Sequence, residues 1–111
     1  MQNGSSDKAK RVMNNDPSTE RNSDVRAYLF QNNPNPFNEQ TNIRYFLPLE
    51  TKTASLMFFD MQGKLVKTLA INNFGASSIT INANELWSGM FIYSLIADGR
   101  EVNNKRMILT E

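Results

Sequence analysis

"MFIYSLIA", residues 90–97, decides how this chain folds. Alternation sends Phe91, Tyr93 and Leu95 to one side of an extended strand and Met90, Ile92 and Ile96 to the other. Both faces are apolar, as expected of a strand that lies centrally in a sheet or has its second face covered. The chain continues as "IADGREV" (96–102), where Asp98-Gly99 is a dipeptide preferred in the tight turn of a hairpin. The next strand therefore folds back antiparallel.

Working outward, short runs rich in β-branched and aromatic residues alternate with turn signals from Ala27 onward. The runs predict strands at 27–30, 41–47, 54–60, 64–70, 76–82, 90–97 and 102–110, and helical periodicity is nowhere sustained. Ile43, Tyr45 and Leu47 alternate with Asn42 and Arg44, and Ile79 and Ile81 alternate with Ser78, Thr80 and Asn82. One face of each goes to a core. "FDMQGKL" (59–65) gives a second hairpin, with Asp60 at the turn and Gly63 where positive φ is needed. Between strands, "NANELWSG" (82–89) predicts a single helical turn capped by Asn84 and ended by Gly89. Leu86 would plug one end and Trp87 would be half exposed.

The expected fold is all-β, a seven-stranded antiparallel β-sandwich. Its core is expected to consist mainly of Ile43, Tyr45, Leu47, Leu56, Phe58, Val66, Ile79, Ile81, Leu86, Phe91, Tyr93, Leu95, Met107 and Leu109.

Ahead of this domain, residues 1–26 carry, besides the initial Met1, only Ala9, Val12, Met13 and Val25 as apolar side chains among charged, Ser and Asn residues. So little apolar surface does not offset the entropy of folding. The expected organisation is a flexible, disordered linker or artificial head over 1–26 and a domain over 27–111. The first motif after the first strand, "QNNPNPFNEQT" (31–41), is a rigid corner. Proline fixes φ, lacks an N–H and drives the preceding residue out of the helical region, so Asn33-Pro34-Asn35-Pro36 is extended or turning, with Phe37 anchoring it against the core.

Composition excludes several classes of function. The 111 residues hold 12 Lys and Arg against 11 Asp and Glu, so no net charge draws the chain to nucleic acid or to an anionic membrane. No cysteine and no histidine occurs, which removes disulfides, thiol chemistry, the usual zinc sites and imidazole-based triads. Neither a membrane-spanning apolar run nor the apolar stretch of a signal peptide is present, so no membrane insertion is expected and export would rest on a segment of a longer parent chain. Carboxylates after residue 26 (Glu39, Glu50, Asp60, Glu85, Asp98, Glu101 and Glu111) fall at expected turns and strand ends, with no calcium-loop spacing. Glycines are scattered singly, which excludes a phosphate loop. No enzyme, no metal and no cofactor is expected.

Taken in order, "YLFQNNPNPFNEQTNIRYFLP", "LMFFDMQGKLVKTL", "LWSGMFIYSLIADG" and "KRMIL" resemble the type A C-terminal sorting domain of type IX secretion cargo in Bacteroidetes. The resemblance runs from about Tyr28 to Thr110. It implies an Ig-like sandwich that acts as a secretion signal, directs attached cargo across the outer membrane, and is a substrate of a cell-surface sortase. Implied partners are the outer-membrane translocon, that sortase and the upstream cargo domain. The implied itinerary is the periplasm in transit, then the cell surface or the extracellular medium. The family's motifs match Pro34, Asn35, Pro36 and Phe37, then Gly89 and Phe91, then Lys105, Arg106 and Met107. Phe91 stands where the family most often has tyrosine, and Tyr93 keeps a hydroxyl on the same face. The cleavage point implied by the family lies in or near the segment before Leu29. A second reading is a small adhesion or carbohydrate-binding module, for which Trp87 with Phe59 would supply an aromatic platform.

Overall fold

In a computed structural model, residues 26–111 are described. The expected linker therefore lies, over residues 1–25, outside the described residues. Seven strands follow in chain order: β1 (Tyr28–Leu29), β2 (Gln40–Leu47), β3 (Ala54–Phe59), β4 (Leu65–Ala70), β5 (Gly75–Asn82), β6 (Gly89–Ala97) and β7 (Arg100–Leu109). They form two antiparallel sheets, a three-stranded one in the order β1-β2-β5 and a four-stranded one in the order β4-β3-β6-β7. This is the expected all-β sandwich.

The two hairpins form where the turn chemistry places them. Asp98 (φ +51) and Gly99 (φ +80) both take the left-handed region that a two-residue turn between β6 and β7 requires. The Asp98 carboxylate also accepts the backbone N–H groups of Lys52 (2.9 Å) and Thr53 (3.0 Å), which ties this hairpin to the entry of β3. In the other hairpin Asp60 accepts the N–H groups of Gln62 and Lys64, both at 2.9 Å, and Gly63 has φ +84.

β6 is central, as its two apolar faces demand, with β3 on one side and β7 on the other. Its inward residues Phe91, Tyr93 and Leu95 meet Leu29, Ile43, Tyr45, Leu47, Leu56, Phe58, Ile81, Met107 and Leu109 in one buried core. Val66, Ile79 and Leu86, expected there too, are only partly buried and pack against its margin. Each lies where a sheet ends: Val66 and Ile79 are on strands at the sheet edges, and Leu86 follows the single turn that closes one end. Ile71 and Phe37 complete the core from outside the strands.

That single turn is a 3-10 helix over Ala83–Glu85. Its capping residue is Asn82 rather than Asn84: the Glu85 carboxylate accepts both the backbone N–H and the side-chain amide of Asn82 at 3.1 Å. The reciprocal bond fixes the start of the helix two residues earlier than Asn84 would. Glu85 also pairs with Lys67 at 3.1 Å, and its carboxyl is held below the ordinary range chiefly by the Asn82 N–H.

The outer face of the four-stranded sheet is apolar where β3, β4, β6 and β7 lie side by side. Phe59 is in register with both Ile92 and Leu65, and Met90 with Ile108.

Candidate recognition site

The corner at 31–37 is wired to the far end of the chain. The Asn33–Pro34 and Asn35–Pro36 peptide bonds are both cis. Along them the backbone bends past β7, and three of its residues bond the free edge of that strand. Gln31 donates its side-chain amide to the Arg106 carbonyl (2.7 Å), and the Asn35 side-chain oxygen accepts the Ile108 N–H (2.9 Å). Phe37 donates its N–H to the Ile108 carbonyl (3.0 Å) and accepts from the Thr110 N–H (2.8 Å), a parallel bridge beside Leu109. An edge strand leaves alternate N–H and C=O groups without partners, and here side chains and backbone of the corner supply them.

Asparagine is what the corner needs because its short side chain both donates and accepts. Asn32, 2 % exposed, donates its amide to the Pro34 carbonyl (3.1 Å) and to the Thr41 hydroxyl (3.0 Å), and Thr41 donates in turn to Pro34 (2.7 Å). Behind this knot, the Tyr93 hydroxyl accepts the Asn32 N–H (2.7 Å) and donates to the Phe30 carbonyl (2.8 Å). Burial pushes the Tyr93 phenol up to about 12, against the partial relief given by the Asn32 N–H. Tyr93 thus makes a buried bond to the corner from the face on which Phe91 has no hydroxyl.

The expected site residues fall on the corner, on the paired strands β6 and β7, and in the two hairpin turns. Pro34 and Pro36 are exposed on the corner, Asn35 bonds β7, and Phe37 is buried as its anchor. Gly89, with φ +149 where a side chain would be strained, opens β6 opposite Leu109. Phe91 pairs with Met107, Tyr93 with Lys105, and Ile92 with Arg106. Pairing and pleat separate the basic residues: Lys105 shares the inward face with Tyr93 and is half buried, whereas Arg106 is exposed on the outer face beside Ile92. The turn residues Asp60, Gly63, Asp98 and Gly99 lie in the hairpin turns, where they shape backbone.

Three contributors escaped the sequence reading, namely Gln31, Asn32 and Thr41. Thr41 carried a legible signal, since it precedes Ile43, Tyr45 and Leu47 on the inward side of β2. Gln31 and Asn32 did not, because their partners lie 75 and 61 residues away. A shallow groove of about 480 Å³ runs beside the corner, lined by Pro34, Pro36, Phe37, Asn38, Glu39, Gln40 and Thr110. The aromatic platform of the adhesion reading is not assembled. Trp87, 55 % exposed, leans edge-on against the inward Phe91 with ring centroids 5.3 Å apart, while Phe59 faces out of the sheet in register with Ile92.

Among the described residues no group of three or more acidic, His or Cys side chains could hold a metal. Asp98 and Glu101 are each held below the ordinary range by hydrogen bonds, from the Thr53 and Lys52 N–H groups in one case and from the Ser94 hydroxyl and the Asn104 amide in the other. Fold and site together define a small β-sandwich whose order is invested in a surface, with its first and last segments knit into one unit. The family model described as the secretion system C-terminal sorting domain matches residues 33–110, and the chain belongs to that family of type IX secretion signals. It is not a family of enzymes, and membership implies export to the cell surface or the extracellular space through interaction with the type IX machinery. Comparison with curated proteins and with solved structures gives no match.

Proposed function

We propose that the domain acts as a folded address label: after its cargo has crossed the inner membrane, the outer-membrane translocon recognises it in the periplasm and a cell-surface sortase then takes it as substrate. The observation that supports recognition of a fold, and not of a linear tail, is the closure of the Pro34–Phe37 corner on β7 by the Asn35 and Phe37 bonds to Ile108. A peptide tail has no use for such closure. Motif residues at 34–37, 89–93 and 105–107 would then act by shaping one surface, with Gly89, Phe91 and Tyr93 positioning β7 from beneath. Cleavage by the sortase belongs to the segment before Leu29, which removes the sandwich intact.

The test fuses the full chain to the C-terminus of a reporter with its own inner-membrane signal, expressed in a bacterium with an active type IX system. Export of the reporter is expected, and its processing should separate it from a fragment carrying β1 to β7. Deleting 105–111 should leave the reporter in the periplasm. Export that persists with the sandwich unfolded by a core substitution such as Phe58→Ala, at a fully buried position, would refute recognition of a folded domain.

A further inference from the structure

We propose that the outer face of the four-stranded sheet is the surface by which the export machinery holds this domain, and that the partner is a protein surface whose apolar side chains surround a carboxylate. This rests on the sorting reading above and names its docking surface. One face of an antiparallel sheet is ordinarily solvated and polar. Here Phe59, Leu65, Met90, Ile92 and Ile108 share that face, with Met90 39 % and Leu65 47 % exposed.

The cation in this apolar field is Arg106, in register with Ile92 and flanked by Ile108. Among the described residues the ion pair formed is that of Lys67 with Glu85, so Arg106 keeps its charge for a partner. Glu101 lies toward the hairpin end of β7, and its carboxylate already accepts the Ser94 hydroxyl (2.6 Å) and the Asn104 amide (2.8 Å). An arginine with apolar side chains on two sides, here Ile92 and Ile108, is a common composition of an energetic hot spot in a protein interface.

The competing occupants fit less well. Strand addition is blocked along this part of β7, because Gln31, Asn35 and Phe37 already occupy its edge at Arg106 and Ile108. A second copy docked about a two-fold axis at Arg106 would set Arg106 against Arg106. An anionic membrane is held by clusters of basic residues, and this face offers one. On the opposite sheet, the exposed Arg44 guanidinium already lies 4.4 Å over the Phe30 ring of its own chain.

The experiment uses the full chain fused to the exported reporter, with Arg106→Gln, Arg106→Glu and Ile92→Thr on the outer face and Ser78→Glu on the opposite sheet as control. Thermal melting of each purified chain accompanies the export assay, because surface changes shift stability little. Export should fall at least about tenfold with Arg106→Glu and less with Arg106→Gln, at nearly unchanged melting temperature, since the reversed charge meets the facing carboxylate. Ile92→Thr should reduce export and Ser78→Glu should leave it intact. Wild-type export of Arg106→Glu overturns the docking surface while leaving the sorting reading standing. Failure of the unaltered fusion to be exported removes that reading, and the proposal with it. A wild-type mass in solution of two chains, reduced to one by Arg106→Glu, assigns the face to a second copy and also overturns the proposal.

Discussion

The Tyr93 hydroxyl accepts the Asn32 backbone N–H at 2.7 Å, joining the central strand of the larger sheet to the chain just beyond β1. Since the same hydroxyl donates to the Phe30 carbonyl, Tyr93→Phe leaves a buried donor and a carbonyl without a partner. The expected cost is about 1–3 kcal/mol, a loss set by desolvation of the abandoned groups more than by the bond itself. A domain of this size should then melt roughly 4–8 °C lower for each kcal/mol, which calorimetry would measure.

The same phenol makes stability depend on alkaline pH. An unfolded tyrosine ionises near 10.0, whereas burial raises Tyr93 to about 12. Between those values the unfolded chain has lost a proton that the folded chain retains, so stability is fully present below pH 10 and declines as pH rises toward about 12. Burial raises Tyr45 in the same direction. Denaturant titrations at stepped alkaline pH should show a steeper decline for the wild type than for Tyr93→Phe. Equal slopes would mean that the Tyr93 phenol is open to water.

At the acid end Asp98 acts with the opposite sign. The N–H groups of Thr53 and Lys52 favour its charged form and lower its pKa from 3.8, so its contribution is present above that value and is lost as pH falls through the lower folded value. Asp98→Asn keeps a side-chain oxygen and tolerates the positive φ, but removes the charge. The wild type should be the more stable at neutral pH, and the gap in melting temperature should close in acid. A gap independent of pH would show that turn geometry alone is at stake.

Thr41→Val tests the knot behind the prolines. Valine keeps the shape of the fully buried side chain but abandons the Pro34 carbonyl and the Asn32 amide, for about 1–3 kcal/mol. Hydrogen exchange should quicken at Asn33 and Asn42, which bond each other across this point, before it quickens in β6.

Strand positions were legible because alternation and turn chemistry are local, and both hairpins formed where Asp60–Gly63 and Asp98-Gly99 placed them. Burial along β6 followed from the same alternation, and so did the anchoring of Phe37. What escaped depends on partners distant in sequence. Nothing near Asn35 announces that its side chain will accept the Ile108 N–H. The choice of Asn82 over Asn84 as the cap, by contrast, was within reach, because Glu85 stands three residues after Asn82, the spacing of a reciprocal cap. The separation of Lys105 from Arg106 was within reach, because Met107 and Leu109 face inward and a period of two puts Arg106 outside.

The bonds between the corner and β7 span 73 residues, and neither side can form them alone. A growing or truncated chain that contains β1 to β6 has the prolines and asparagines of the corner but nothing for Asn35 and Phe37 to bond. The corner therefore takes its bonded shape only once β7 is in place, so the geometry at the start of the sandwich is set by the strand at its end.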